Sequence, residues 1–331
     1  MKIIVDAFGG DNAPAEILKG CVNSLSEHSD LEIIVTGPEE RIKASAEENE
    51  IDISGLKIVN CEEVITMEDR ATDVVKKKKN SSMAVGLKML ADGQADAFLS
   101  AGNSGALITG TTLIVKRIKG VKRPAFSPIL PKAQGMFMLI DGGANAECKP
   151  DMLRQFAIMG SVYLEKVMKV KNPRVGLANV GIEEHKGDPL RLETFAMLKQ
   201  TPVNFIGNVE GRDIPLDGCD VLVTDGFNGN LILKTYEGVA IALMDRVKDI
   251  FKKSTKNKIA AAMVMNDLRA LKTTLDTDVY GGAPILGAAK PVFKVHGNAT
   301  AKTIKYAVEL TMNYVNTNVI REIESEIAKL N

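Results

Sequence analysis

The sequence predicts an α/β protein of three αβα layers around a mostly parallel sheet. Short apolar runs rich in β-branched residues alternate with longer segments of helical period, and most of the runs empty into turns of glycine and asparagine. Such alternation produces right-handed βαβ units and a parallel sheet covered on both faces. Strands are expected at Lys2–Val5, Leu31–Val35, Leu56–Val59, Ala97–Ser100, Met136–Ile140, Arg174–Ala178, Val203–Ile206 and Val221–Thr224. Between them, apolar residues spaced three and four apart mark helices such as Ala13–Ser26, Ser82–Ala91, Asn103–Ile118, Asp151–Met168 and Leu190–Gln200. After Asn230 helix dominates, in Leu231–Phe251, Lys258–Leu271 and Thr300–Leu330. No linker rich in Pro, Gly or Ser divides the chain and no repeat recurs. The expectation is one unit over residues 1–331, its two lobes sharing one sheet.

Composition narrows the function classes. The 331 residues carry 42 Lys+Arg against 42 Asp+Glu. Zero net charge argues against a general binder of nucleic acid, whose affinity comes from neutralising many phosphates. Trp is absent and aromatics are 5%, which also weakens a base-stacking platform. The first residues enter a strand rather than a targeting segment. No uncharged run reaches the roughly 18–20 residues that span a bilayer. Cys21, Cys61, Cys148 and Cys219 are widely separated, signalling neither a disulfide framework nor a zinc knuckle. A reducing, cytoplasmic setting is expected.

The chemistry lies where strands end. Asp6 runs into Gly9-Gly10-Asp11-Asn12, Ser100 into Gly102-Asn103-Ser104-Gly105, and Asp141 into Gly142-Gly143-Ala144-Asn145. Ala178 leads to Asn179-Val180-Gly181 and then to His185-Lys186-Gly187; Thr224-Asp225 leads to Gly226-Phe227-Asn228-Gly229-Asn230. In a parallel sheet these turns gather at the carboxyl edge, where open α/β sheets bind ligands. Glycine admits a ligand close to the backbone, and a following helix presents unpaired amides. Turn chemistry alone explains any one of these glycines. It explains the set poorly, and the set describes an anion pocket, most simply for phosphate.

Named phosphate and nucleophile motifs are missing. There is no G-x-x-x-x-G-K-[ST], no G-x-G-x-x-G in the first turn and no G-x-S-x-G. Lys186, in its glycine-flanked turn, is the cation singled out to hold phosphate or a developing oxyanion, whereas most lysines here read as solvated. His185 carries less weight; His296, before Gly297-Asn298, either caps the last helix or closes the pocket. Asp6, Asp11, Asp141 and Asp225 are scattered strand-end acids that more often cap turns than gather a cation, so no metal is predicted.

In order and spacing these turns resemble the phosphate acyltransferase family of bacterial phospholipid synthesis. The resemblance runs through Val5–Asp11, Ser100–Ala106, Asp141–Asn145, Gln155–Gly160, Lys186-Gly187, Gly207–Asp213, Asp225–Asn230, Tyr280–Pro284 and His296-Gly297, nearly the whole chain. Ala71, Lys76 and Asn298 stand where the family often has other residues. The resemblance implies transfer of a long-chain acyl group from acyl carrier protein to inorganic phosphate. The acyl phosphate would then acylate glycerol 3-phosphate through a downstream acyltransferase. It implies a fold similar to phosphotransacetylases and isopropylmalate dehydrogenases, a homodimer and no organic cofactor. Lys186 and Asn230 match its catalytic positions; Gly10, Asp11, Asn103, Ser104, Gly143, Asn145, Gly229 and His296 are the expected substrate and phosphate binders. Phosphate dianion needs no proton removed to attack a thioester, so position and charge neutralisation are what a protein must supply. Rival readings are a coenzyme A-dependent phosphate acyltransferase, a dehydrogenase and a non-catalytic scaffold.

Two surface features remain. Lys76-Lys77-Lys78-Lys79 alone reads as a solvated helix face; because acyl carrier proteins are strongly acidic, the resemblance adds docking by electrostatic steering. The cationic stretch Lys252–Lys258 precedes the apolar Ile259–Met265. That order suits a buried dimer or core helix, or peripheral binding to an anionic membrane through Ile259, Ala262, Met263 and Val264. The helix-rich segment from about 231 to 331 is thereby expected to make the dimer and membrane contacts.

Overall fold

The computed structural model describes residues 1–275 and 281–330; Tyr280, quoted above, lies outside the described residues. Strands β1 (Lys2–Asp6), β2 (Glu32–Gly37), β3 (Lys57–Asn60) and β4 (Ala97–Ser100) come first, then β5 (Ala125–Phe126), β6 (Ile129–Pro131) and β7 (Met136–Ile140). They are followed by β8 (Arg174–Asn179), β9 (Asn204–Glu210), β10 (Val221–Val223), β11 (Ala283–Leu286) and β12 (Val292–Lys294). The helices are α1 (Ala15–Glu27), α2 (Glu39–Glu48), α3 (Asp73–Lys76), α4 (Ser82–Ala91), α5 (Ser104–Gly110) and α6 (Pro150–Lys166). The rest are α7 (Pro189–Leu198), α8 (Gly226–Lys252), α9 (Thr255–Met263), α10 (Met265–Leu275), α11 (Ala301–Asn316) and α12 (Val319–Ala328).

The strands form two sheets, ordered β3-β2-β1-β4-β12-β11-β5 and β6-β7-β10-β8-β9. The expectation of one shared sheet is therefore corrected to two. Pairing is parallel from β3 through β12 and from β7 through β9, with β11, β5 and β6 antiparallel at the margins. Period-two alternation sorts side chains between layers. Ile3 and Val5 join Leu18 and Ile304 beneath α1 and α11, while Ile4 joins Met83, Leu87 and Leu90 beneath α4. In the second sheet Met138 and Ile140 pack with Phe156 and Met159 of α6, and Phe137 and Leu139 face Leu233 of α8. Each such fully buried Ile, Leu or Phe contributes about 1.5–3 kcal/mol. The largest buried cluster includes residues of both sheets, Val5 and Val223 among them, so the two lobes share a core.

All eight expected strands form. The helical reading beyond Asn230 needs correction, because β11 and β12 lie there and β12 sits centrally, between β4 and β11. The expected helix at residues 258–271 divides at Val264 into α9 and α10. The one at 300–330 divides at Asn318, whose φ of 52° ends α11 and starts α12. The helix expected from Asn103 becomes α5 and a π-helical turn at Thr111–Val115. After Leu233, α8 buries no residue, and α9 buries none along its length.

Candidate active site

Turns from both sheets converge on a cleft of about 370 Å³ between them. On the side of the first sheet, the buried Asp6 ends β1; its carboxylate accepts from Ser100 Oγ (2.7 Å) and the Phe8 amide (3.2 Å). Burial pushes the Asp6 carboxyl above the usual range, against the pull of Ser82, Ser100, the Phe8 amide and Lys294. Ser100 Oγ also accepts from the Gly102 amide at 3.0 Å, so one hydroxyl fixes two turns. Gly10, at φ 99°, approaches Gly297 so closely that a Cβ would stand 2.7 Å from the Gly297 carbonyl. The Asp11 amide donates to that carbonyl (2.7 Å). The first turn is thereby fastened to the His296-Gly297 turn that follows β12.

On the side of the second sheet, Asp141 organises the turn. Its Oδ1 accepts from the amides of Phe126, Gly143 and Ala144, and its Oδ2 from the amide and side chain of Asn145. Gly229 places the start of α8 against this turn; a Cβ there would fall 1.8 Å from the Asp141 carbonyl oxygen. Asp225 caps α8 by accepting from the Asn228 amide at 3.0 Å. Burial works upward on the Asp225 carboxyl, but Asn228 and Arg191 outweigh it and hold the group below its ordinary value.

Asp11, Ser104, Gly143, Asn230 and His296 all line this cleft. Gly10, Gly229 and Asn145 shape it from behind, Asn145 by donating to Pro124 O and Asp141 Oδ2. Asn103, expected to hold phosphate, is engaged otherwise. Its Oδ1 accepts from the Ala106 amide as the cap of α5, and its Nδ2 donates to the carbonyls of Thr66, Met67 and Asp69. It braces the loop whose Met67 lines the cleft.

Lys186 borders a second cleft, of about 480 Å³, through its neighbour Gly187. The turn is clamped at both ends: Asn179 Nδ2 donates to the Lys186 carbonyl (3.1 Å), and Asp188 caps α7 while pairing with Arg191 (2.9 Å). Arg191 also pairs with Asp225, tying the Lys186 turn to the cap of α8. Asn228 and Ile232 of α8 face this second cleft; Asn230 and Leu233 face the first. The opening turns of α8 therefore stand between the two, with Phe227 and Leu231 exposed along the ridge.

Lys294 is the residue that sequence reasoning passed over. It lines the first cleft from β12. The signal was available, a lone charge in the otherwise apolar run Val292-Phe293-Lys294-Val295. Burial holds the four thiols up, Cys21, Cys148 and Cys219 to about 12 and Cys61 to about 11. Because the thiolate is the nucleophilic form, none is poised to carry an acyl group near neutrality.

Of the four lysines expected to dock a carrier protein, Lys76, Lys77 and Lys79 are exposed. Lys78 is half-buried and committed to Asp69 Oδ2 (2.6 Å) and the Val64 carbonyl (2.9 Å), and the exposed Lys77 lies 4.0 Å from Asp73. The Lys78–Asp69 bond secures the run to the loop bearing Met67. Ile259, Ala262, Met263 and Val264 are all exposed, Met263 at 83%, which removes the core-helix reading. No helix among the described residues is long and apolar enough to cross a membrane.

Known proteins resemble this chain in sequence and in fold. The family model described as "Fatty acid synthesis protein" matches residues 1–322. The chain is 46% identical over 327 residues to the phosphate acyltransferase of Caldanaerobacter subterraneus subsp. tengcongensis, covering 99% of this chain and 97% of the relative. It is 44% identical over 330 residues to that of Acetivibrio thermocellus, covering 100% and 97%. Among solved structures, EutD phosphotransacetylase from Staphylococcus aureus superposes with a TM-score of 0.60 at 16% identity, covering 95% of this chain and 94% of that one. A branched-chain phosphotransacylase from Enterococcus faecalis gives 0.58 at 15%, covering 96% and 100%. These two likenesses establish a shared fold. The whole-length sequence matches go further: the chain belongs to the phosphate acyltransferase family and is an acyltransferase of fatty acid and phospholipid synthesis.

Proposed function

We propose that the protein transfers a long-chain acyl group from acyl carrier protein to inorganic phosphate, releasing acyl phosphate for acylation of glycerol 3-phosphate by a downstream enzyme. The observation that carries the reading is the meeting of glycine and asparagine turns from two sheets on one cleft, with Ser104, Gly143 and Asn230 on its walls. Phosphate oxygen attacks the thioester carbonyl, a C–O bond forms, the C–S bond breaks, and the departing carrier thiolate takes a proton from water. Ser104 and the Gly143 backbone position phosphate, Asn230 orients it, and the exposed Lys186 side chain reaches over the start of α8 to stabilise the oxyanion. Preorganised donors of this kind lower the barrier without reorganising during reaction. Asn103 acts only by bracing its loop. The test is phosphate-dependent release of carrier thiol with the product trapped as a hydroxamate. Coenzyme A thioesters run in parallel decide the donor, and no phosphate dependence with either donor would end the reading.

The exposed Lys76, Lys77 and Lys79, anchored beside the cleft mouth, fit an acidic carrier protein. Reversing all three to Glu is expected to raise KM for the carrier thioester several-fold and flatten its salt dependence while leaving kcat unchanged, because rim charges act mainly on encounter. An unaltered KM and salt profile would return them to the role of solvated lysines.

The exposed apolar residues of α8 and α9 are the expected site of homodimer and membrane contacts, at a cytoplasmic membrane face. Met263→Asp is expected to abolish flotation of the protein with anionic liposomes while leaving its melting temperature unchanged, since a charge opposes interfacial burial. Equal flotation by a folded variant would rule out lipid contact through α9.

A further inference from the structure

Lys294 is buried to 8% exposure on the central strand β12. Its Nζ donates to the Ala101 carbonyl at 2.9 Å and to the Val295 carbonyl. An ammonium has three donors, and among the described residues these two carbonyls are its only acceptors. Among the described residues no carboxylate lies within ion-pair distance of it. Asp6 and Asp11 act on it only from farther off, and Lys234, which pairs with Glu237 at 2.8 Å, adds a repelling charge. Lys234, Glu237, Asp11 and His296 line the same cleft, so these and Asp6 are the titratable groups that face Lys294. A buried cation with no counter-charge is unfavourable unless a ligand supplies one. The cleft beside it is walled by the very turns expected to take an anion.

We propose that Lys294 is the cation that binds inorganic phosphate in this cleft, which divides the work of charge neutralisation: Lys294 holds the attacking dianion and Lys186 serves the thioester carbonyl. The division rests on the acyl-transfer reading above; the phosphate site itself does not. The carbonyls of Ala101 and Val295 belong to the two turns that carry Ser104 and His296, so the ammonium is held in register with the cleft walls before phosphate arrives. Asp6 and Asp11 stay beyond ion-pair distance of the ammonium and act on it only through space.

The variants are Lys294→Met and Lys294→Arg. The methionine keeps the packing and removes the charge, and KM for phosphate is expected to rise between about 10- and 100-fold, the usual worth of a hydrogen bond to a charged group. KM for the acyl thioester stays as it was. The arginine keeps phosphate KM within a few-fold of the unsubstituted enzyme. A folded Lys294→Met with phosphate KM unchanged overturns the proposal.

Calorimetry of the unsubstituted protein with inorganic phosphate gives a readout that no bracing role would move. Burial, with Lys234 adding to it, holds Lys294 down at about 8. At pH about 8.5 an anion beside it therefore draws in a proton, and the heat of binding depends on the ionisation enthalpy of the buffer. Arginine stays charged throughout, so Lys294→Arg binds phosphate without that dependence. Buffer-independent heats for the unsubstituted protein overturn the proposal even if neither variant folds. Should phosphate bind with proton uptake while no thiol is released, the site stands and the acyl-transfer reading falls.

Discussion

Asp141→Ala is expected to destabilise the fold by about 3–5 kcal/mol, the cost of leaving several buried donors without the acceptor they share. The carboxylate is wholly buried and accepts from four backbone amides, those of Phe126, Gly143, Ala144 and Asn145, as well as from the Asn145 side chain. Each amide left unpaired in the interior costs about 1–3 kcal/mol; the half-buried ones regain part of that from water. Ordinary domains have about 5–15 kcal/mol in total, so the loss is a large fraction of the whole. The Asp141 turn also supports α8 at Gly229 and joins the sheets through Phe126, whose carbonyl accepts from the Gly142 amide (2.7 Å). Activity is therefore expected to fall with stability. Urea unfolding followed by circular dichroism measures it. Asp141→Asn, which keeps one acceptor oxygen, should lose less, and a midpoint for Asp141→Ala equal to that of the parent would refute this account of the turn.

That turn also shows what could be read in the sequence. Its glycines and asparagine announced a special backbone, and Gly143 at φ 136° beside Asn230 bears that out. The partners of a side chain far away in the sequence were not legible. Asn103 looked like a free donor, yet its amide is taken by a loop some 35 residues earlier, at Thr66, Met67 and Asp69. The same difficulty applies to sheets. Alternation in Ile3-Ile4-Val5 and Phe137-Met138-Leu139 tells that both faces are covered, but not which strand lies alongside, so two sheets read as one. The missed β5, β6, β11 and β12 are two to four residues long, and β6 and β11 contain proline, which weakens a strand pattern. Lys294 broke the apolar run of β12 for a reason that belongs to the cleft. Local rules fail where a site overrides them.

Lys186→Ala is expected to lower kcat by about 10²–10³-fold, the effect of deleting one donor to a developing oxyanion, and to leave the melting temperature unaltered. Stability and catalysis separate here because the side chain is exposed and holds no ion pair among the described residues, while the turn is fixed by backbone contacts that alanine retains. Its position outside the first cleft is compatible with that role. On the proposed reading the exposed Lys186 side chain reaches over the opening turns of α8, where Asn228 faces one cleft and Asn230 the other, to meet the carbonyl on the phosphate side. The Arg191–Asp225 pair keeps the Lys186 turn in place relative to that helix. At saturating thioester, Lys186→Ala should retain the phosphate KM that Lys294→Met raises, so the two variants separate the attacked carbonyl from the attacking anion. If kcat stays within twofold of the parent, Lys186 is a solvated lysine and the oxyanion must find its donors inside the first cleft, at Asn230 and the Gly143 amide.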